Sequence, residues 1–86
     1  MADLTVSVVA ADHEVWSGAA RQVVARTVEG EIGILAGHEP VLATLASGEV
    51  RVTTTDGSVV TADAEDGFLS VQADTVTIVA GTAKLV

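Results

Sequence analysis

Histidine, glycine and carboxylate side chains gather in two short stretches of this chain. One is Asp12-His13-Glu14. The other runs from Glu29 to Pro40 (EGEIGILAGHEP) and holds three of the eight glycines, the only proline, one of the two histidines and three acids. Such a grouping can cradle a phosphate, ligate a metal or shape a docking loop. A Walker loop needs Gly-x-x-x-x-Gly-Lys-Ser/Thr, with the lysine reaching the phosphates. Gly30, Gly33 and Gly37 are spaced differently, no lysine follows, and Glu29, Glu31 and Glu39 repel a polyphosphate. The Gly-x-Gly-x-x-Gly pattern of dinucleotide sites is also missing.

Metal chemistry fares no better. Neighbouring side chains on a strand point to opposite faces, so Asp12, His13 and Glu14 do not converge without a special turn. The pair His-Glu occurs at 13–14 and again at 38–39, but neither copy continues to His-Glu-x-x-His. A tight site takes three or more ligands. Cysteine is absent, which excludes thiolate ligands and disulfides. The hydroxyls are mostly threonines at strand positions, and no nucleophile elbow supports a catalytic serine. Glu65-Asp66 precedes a glycine, where turn chemistry explains both acids. No catalytic residue, cofactor or metal ligand is assigned.

The elements that must position these residues are short. Leu4, Val6 and Val8 alternate with Thr5 and Ser7, a period of two that marks a half-buried strand. Residues 15–16 resume a strand, which Ser17-Gly18 is expected to turn. Residues 21–28 form another, and residues 32–35 a short apolar segment. Residues 41–46 have the propensity for a helical turn, though one too short to stand alone. Further strands are expected over 49–55, 58–64, 68–72, 75–80 and 82–86. Asp56-Gly57 carries the strongest hairpin signal, a type I′ turn with positive φ at both central positions. Asp66-Gly67 and Ala73-Asp74 mark further turns. The residues thus predict eight to ten short strands in one antiparallel sandwich or flattened barrel, with no long amphipathic helix.

Composition agrees. Valine, threonine and isoleucine make up about a third of the 86 residues, and their branched side chains suit a pleated surface. Such a length gives one domain with one core. Trp16 and Phe68 are the only aromatics, and each is expected to fill core volume, with a partner hot spot as the alternative. Twelve acids against four scattered bases, a net charge of −8, leave no basic stripe for nucleic acid or anionic lipid. The N-terminus shows neither the basic nor the apolar region of a secretory signal, and no apolar run is long enough for a membrane helix. A soluble cytoplasmic protein is expected, able to sit on a membrane complex through a protein partner.

Taken in order, the residues of the second stretch carry a resemblance. Gly30-Glu31-Ile32-Gly33-Ile34-Leu35, then Gly37-His38, Pro40-Val41-Leu42, Leu45 and Gly48-Glu49-Val50-Arg51-Val52, closely resemble the epsilon-subunit family of F-type rotary ATP synthases. Trp16-Ser17-Gly18 is similar to the family's aromatic-Ser-Gly. Asp66-Gly67-Phe68-Leu69-Ser70-Val71 and Val76-Thr77-Ile78-Val79-Ala80 are similar to its later strands. Two positions depart: Ala36 stands where the family has proline, and Glu39 where it has a small residue.

The resemblance implies a ten-stranded β-sandwich over residues 1–86 at the foot of the rotating stalk. Its implied partners are the gamma subunit and the c-ring, and its role is to help couple proton flow to ATP synthesis without catalysis of its own. It places Glu31 and His38 against the c-ring. It implies a peripheral location on the cytoplasmic face of a bacterial membrane. Family members continue into a helical pair that carries inhibition and, in some, an ATP site; neither is ascribed to residues 1–86. A stalk subunit should also expose a contiguous apolar patch, near the N-terminal strand or residues 41–52. Two other classes stay open on the residues alone, a free-standing β-sandwich binding module and an enzyme with an unrecognised site.

Overall fold

Leu4, Val6, Val8 and Ala10 are buried while Thr5 is exposed, so the period-two reading of the first strand holds residue by residue in the computed structural model, which describes residues 3–86. Seven strands follow in chain order: β1 (Leu4–Ala10), β2 (Glu14–Thr27), β3 (Gly30–Leu35), β4 (Val41–Thr44), β5 (Gly48–Thr54), β6 (Val59–Gln72) and β7 (Thr75–Leu85). The fold is all-β, as the β-branched composition requires.

Five of these strands close on themselves. β1 pairs antiparallel with the first half of β2, from Leu4↔Ala20 to Val8↔Trp16, and parallel with β7, from Thr5↔Thr75 to Ala10↔Ala80. β7 runs antiparallel along β6, the first half of β6 pairs with β5, and β5 pairs with the later part of β2. The ring β1–β7–β6–β5–β2 is a flattened barrel. β3 hangs from the end of β2, β4 from the second half of β6, and the bridge Thr27↔Leu45 joins the two flaps. One parallel pair therefore interrupts the antiparallel pattern. No hairpin links the first strand to the last, so nothing local forces them to run in opposite senses.

The count is seven rather than about ten because glycines read as turns lie within long strands. Gly18 sits inside β2, and a side chain there would come within 3.0 Å of the Trp16 ring, so this glycine makes room for indole. Gly67 sits inside β6, where an added Cβ would lie 1.8 Å from the Val79 carbonyl oxygen. That glycine permits close approach of β7 at the point where β6 leaves β5 and takes up β4. Residues 75–80 and 82–86, expected as two strands, are joined through Gly81 into β7. Residues 41–44 are strand, not helical turn, because pairing with β6 outweighs weak local propensity.

Turn chemistry is also redistributed. Between β5 and β6, the Gly57 N–H donates to the Thr54 carbonyl at 3.1 Å, and only Gly57 has positive φ. This is a three-residue loop with glycine in the left-handed position, not a type I′ turn. Positive φ at two successive residues occurs instead at Ala73 (50°) and Asp74 (59°), between the paired Gln72 and Thr75.

The core is aliphatic. Leu4, Ile34, Leu69 and Ile78 are its largest fully buried side chains, packed with valines from both sides of the barrel. Each contributes about 1.5–3 kcal/mol by leaving water. Trp16 is half-buried against this core, as expected. Phe68 is not a core residue: it alternates with buried Leu69 on β6 and keeps 43% of its surface exposed.

Candidate functional site

The stretch 29–40 becomes a hairpin tip, an edge strand and a loop. Thr27, the one buried polar residue among those described, ties the tip together. Its Oγ1 donates to the Gly30 carbonyl at 2.8 Å and accepts from the Glu29 N–H at 3.2 Å. Along β3, Ile34 is buried and Ile32 half-buried, while Glu31, Gly33 and Leu35 alternate to the outside. Glu31 faces solvent opposite Arg26 in the ladder, and among the described residues it makes no ion pair.

The loop after β3 is held by backbone contacts. Gly37 has φ 86°, a left-handed conformation suited to glycine. Its N–H donates to Asp74 Oδ1 at 2.7 Å, and the His38 N–H donates to the Leu35 carbonyl at 3.1 Å. His38 Nδ1 lies 2.7 Å from the Glu39 carbonyl oxygen. A carbonyl only accepts, so Nδ1 carries the proton and Nε2 is the acceptor of the neutral ring. His38 is half-buried, Glu39 and Pro40 exposed. Glu31 and His38 stand at opposite ends of β3, with about 13 Å of strand from Glu31 to Leu35 between them. They do not converge, so they can touch a partner at two points but cannot share one reacting atom.

The remaining chemically suggestive groups are local structure. His13 Nδ1 donates to Asp12 Oδ1 at 2.6 Å, and this hydrogen bond holds the Asp12 carboxyl below its ordinary value. Glu14 turns instead toward β1, where it accepts from Ser7 Oγ at 3.5 Å. Asp56 accepts from the Thr54 hydroxyl and from the Ser58 N–H, which lowers its pKa to about 2. Among the described residues, no three histidine, aspartate or glutamate side chains gather as metal ligands would.

The apolar patch expected near residues 41–52 has its counterpart on the outer face of β4 and β6. Leu42 is 75% exposed, Val28 66% and Phe68 43%, and Leu42 shares one groove with Val28 and another with Phe68. A groove of about 170 Å³ runs between Thr27-Val28-Glu29 and Leu42-Ala43-Thr44. A second, of about 360 Å³, is lined by Leu42, Ala43, Thr44 and Phe68, and a third connects Pro40, Val41 and Leu42 to Ser70 and Gln72. Leu42 borders all three. Of Val28, Leu42 and Phe68, only Leu42 lies within the expected 41–52 region; the other two lie outside it, and none is on the N-terminal strand. Reading 41–44 with a period of two puts Leu42 outside, and the same period over 68–72 puts Phe68 on the face opposite Leu69 and Val71.

Known proteins share this fold. Residues 3–86 match the family model described as the ATP synthase delta/epsilon chain, beta-sandwich domain. An ATP synthase epsilon chain of Micrococcus luteus is 58% identical over 85 residues, which cover 99% of this chain and 93% of that one. The epsilon chain of Rhodococcus jostii is 52% identical over 86 residues, covering 99% and 70%. Among solved structures, a chain of the Euglena gracilis mitochondrial ATP synthase (OSCP, F1 and c-ring) superposes with a TM-score of 0.92 at 28% identity. The superposition spans 99% of this chain but only 54% of that one, about half its length. A chain from the central stalk and c-ring of the Tetrahymena thermophila mitochondrial ATP synthase, at 18% identity and TM-score 0.77, shares the fold over 93% of this chain and 64% of its own.

Proposed function

The chain belongs to the ATP synthase delta/epsilon β-sandwich family, and from that premise we propose that it is a non-catalytic subunit of the central stalk of a bacterial F-type ATP synthase. The observation that carries the reading is the exposure of Val28, Leu42 and Phe68 around adjoining grooves on a sandwich of this family. A small soluble domain leaves such a surface uncovered only at cost in solubility, and a permanent partner relieves it. Gamma is that partner. Its side chains enter the grooves around Leu42, of which those bordering Phe68 and Ser70 are too open to enclose a small ligand.

The c-ring contact falls to the β3 flap. Glu31 offers a solvated carboxylate to a basic loop, and His38 offers Nε2 from a loop held by its own backbone. A rim contact of this kind is worth only ~0–1 kcal/mol, so it orients more than it binds. With both faces engaged, the sandwich turns with gamma and the ring at the cytoplasmic face of the membrane. It carries torque between proton flow and ATP synthesis while doing no chemistry itself.

Reconstitution tests this reading. Wild-type chain added to an epsilon-depleted complex should bind, restore coupling and leave ATP hydrolysis uninhibited. The double variant Leu42→Asp/Phe68→Asp should bind at least tenfold more weakly. Equal binding by that variant, or strong inhibition of hydrolysis by the wild-type chain, defeats the assignment. Since the chain has no cysteine, Glu31→Cys and His38→Cys are clean probes. One or both should form a disulfide with cysteines placed in the c-ring loop, and trapping on gamma alone at both positions overturns the proposed orientation.

A further inference from the structure

The loop 36–40, folded by its own backbone bonds, has few ties to the rest of the barrel. A side chain at Gly37 would meet no heavy atom within 4 Å, so nothing packs over the loop at that point. Among the described residues, one hydrogen bond ties the loop to a distant element: the Gly37 N–H donates to Asp74 Oδ1 at 2.7 Å, across 37 positions of sequence. The acceptor is itself fixed, because the Asp74 carbonyl accepts the Thr5 N–H of β1 at 2.8 Å. Its carboxylate and backbone thus link β1, the β6–β7 turn and the docking loop in a single residue.

Asp74 occupies a position where glycine would be the easier choice. Its φ of 59° is left-handed, and the second central position of a two-residue hairpin favours glycine. Aspartate tolerates this conformation better than most residues, but less well than glycine does. Glycine has no acceptor. The turn alone does not account for aspartate, whereas a charge-assisted bond to the Gly37 N–H does.

We propose that Asp74 is a positioning residue for docking: it holds Gly37, and through it His38, Glu39 and Pro40, in the conformation presented to the partner. This rests on the reading of the β3 flap as a docking element. Two substitutions separate the role from ordinary turn formation. Asp74→Gly satisfies the turn at least as well but removes the acceptor. Asp74→Asn keeps both a side-chain carbonyl acceptor and tolerance of the left-handed conformation.

Amide exchange and ¹⁵N relaxation of the full chain give the first readout. Asp74→Gly should melt at or above the wild-type temperature, yet its Gly37 amide should exchange about tenfold faster, as loss of one charge-assisted bond implies. Order parameters at 37–39 should fall below about 0.6. Asp74→Asn should stay within about twofold of wild type in exchange. Binding to the epsilon-depleted complex gives the second readout, with Asp74→Gly about three- to tenfold weaker and Asp74→Asn near wild type. A Gly37 amide that exchanges at the wild-type rate in Asp74→Gly overturns the anchor, whatever happens to binding. A freed amide with unchanged binding removes the docking role of the loop and leaves the anchor intact.

Discussion

Replacing Gly67 by alanine should damage this fold more than any other glycine-to-alanine change on its strands. The added Cβ would lie 1.8 Å from the Val79 carbonyl oxygen, 2.6 Å from Ala80 Cα and 2.7 Å from the Val79 carbonyl carbon. All three are backbone atoms, so no rotamer change relieves the overlap. Ordinary contact begins at 3.4 Å, and β6 and β7 would have to separate by roughly the difference, about 1.6 Å. Overpacking that flexible side chains can absorb costs ~1–3 kcal/mol. Here the strain falls on the ladder that runs from Gln72↔Thr75 to Ala62↔Leu85, and one or two of its bonds, each worth ~1 kcal/mol net, should be lost as well. The expected loss is about 3–5 kcal/mol, a large share of the ~5–15 kcal/mol that holds a domain together. At ~4–8 °C per kcal/mol, the melting temperature should fall by about 15 °C or more. Urea and thermal melts followed by circular dichroism and by the fluorescence of Trp16 measure it. Gly33→Ala is the control: its φ is not left-handed and its nearest neighbour is the Gln22 amide nitrogen at 3.9 Å, so it should stay within about 0.5 kcal/mol of wild type. A Gly67→Ala protein that melts within about 3 °C of wild type refutes the close approach of β6 and β7. With it would go the explanation of why glycine stands where β6 passes from β5 to β4.

Thr27→Val keeps the shape of the hairpin tip but removes both hydrogen bonds of the Thr27 hydroxyl, and should cost about 1–2 kcal/mol in urea melts; no change would show that Glu29 N–H and the Gly30 carbonyl find equivalent partners. Asp56 should titrate by carboxyl ¹³C NMR with a midpoint of about 2 in place of 3.8, because the Thr54 hydroxyl and the Ser58 N–H favour its charged form. The sign follows from the lowered folded-state value: the stabilisation is complete above about pH 4 and is lost as pH falls toward 2. Asp56→Asn should flatten that part of the stability profile, and a wild-type midpoint near 3.8 would remove the basis for it.

Much of the architecture was legible because a period of two is a local property. Leu4, Val6 and Val8 had to face one way whatever lay opposite, and residues 49–52 and 76–79 follow the same rule on β5 and β7. The spacing of Gly30, Gly33, Gly37, His38 and Pro40 pointed to the family, since that ordered set is specific. Tertiary structure decided what each glycine is for. Gly18 accommodates the Trp16 ring, Gly67 admits the backbone of β7, and Gly37 takes a left-handed turn, yet in sequence all three read as the same break. Hence the eight to ten expected strands became seven. Tertiary structure also decided how the aromatics are used: Trp16 packs half-buried against the core, while Phe68 lies on the outer face beside Leu42. The contact between Asp74 and Gly37 spans 37 positions, a separation at which no local pattern carries information, and it exists because closing the barrel brings the β6–β7 turn beside the loop that ends β3.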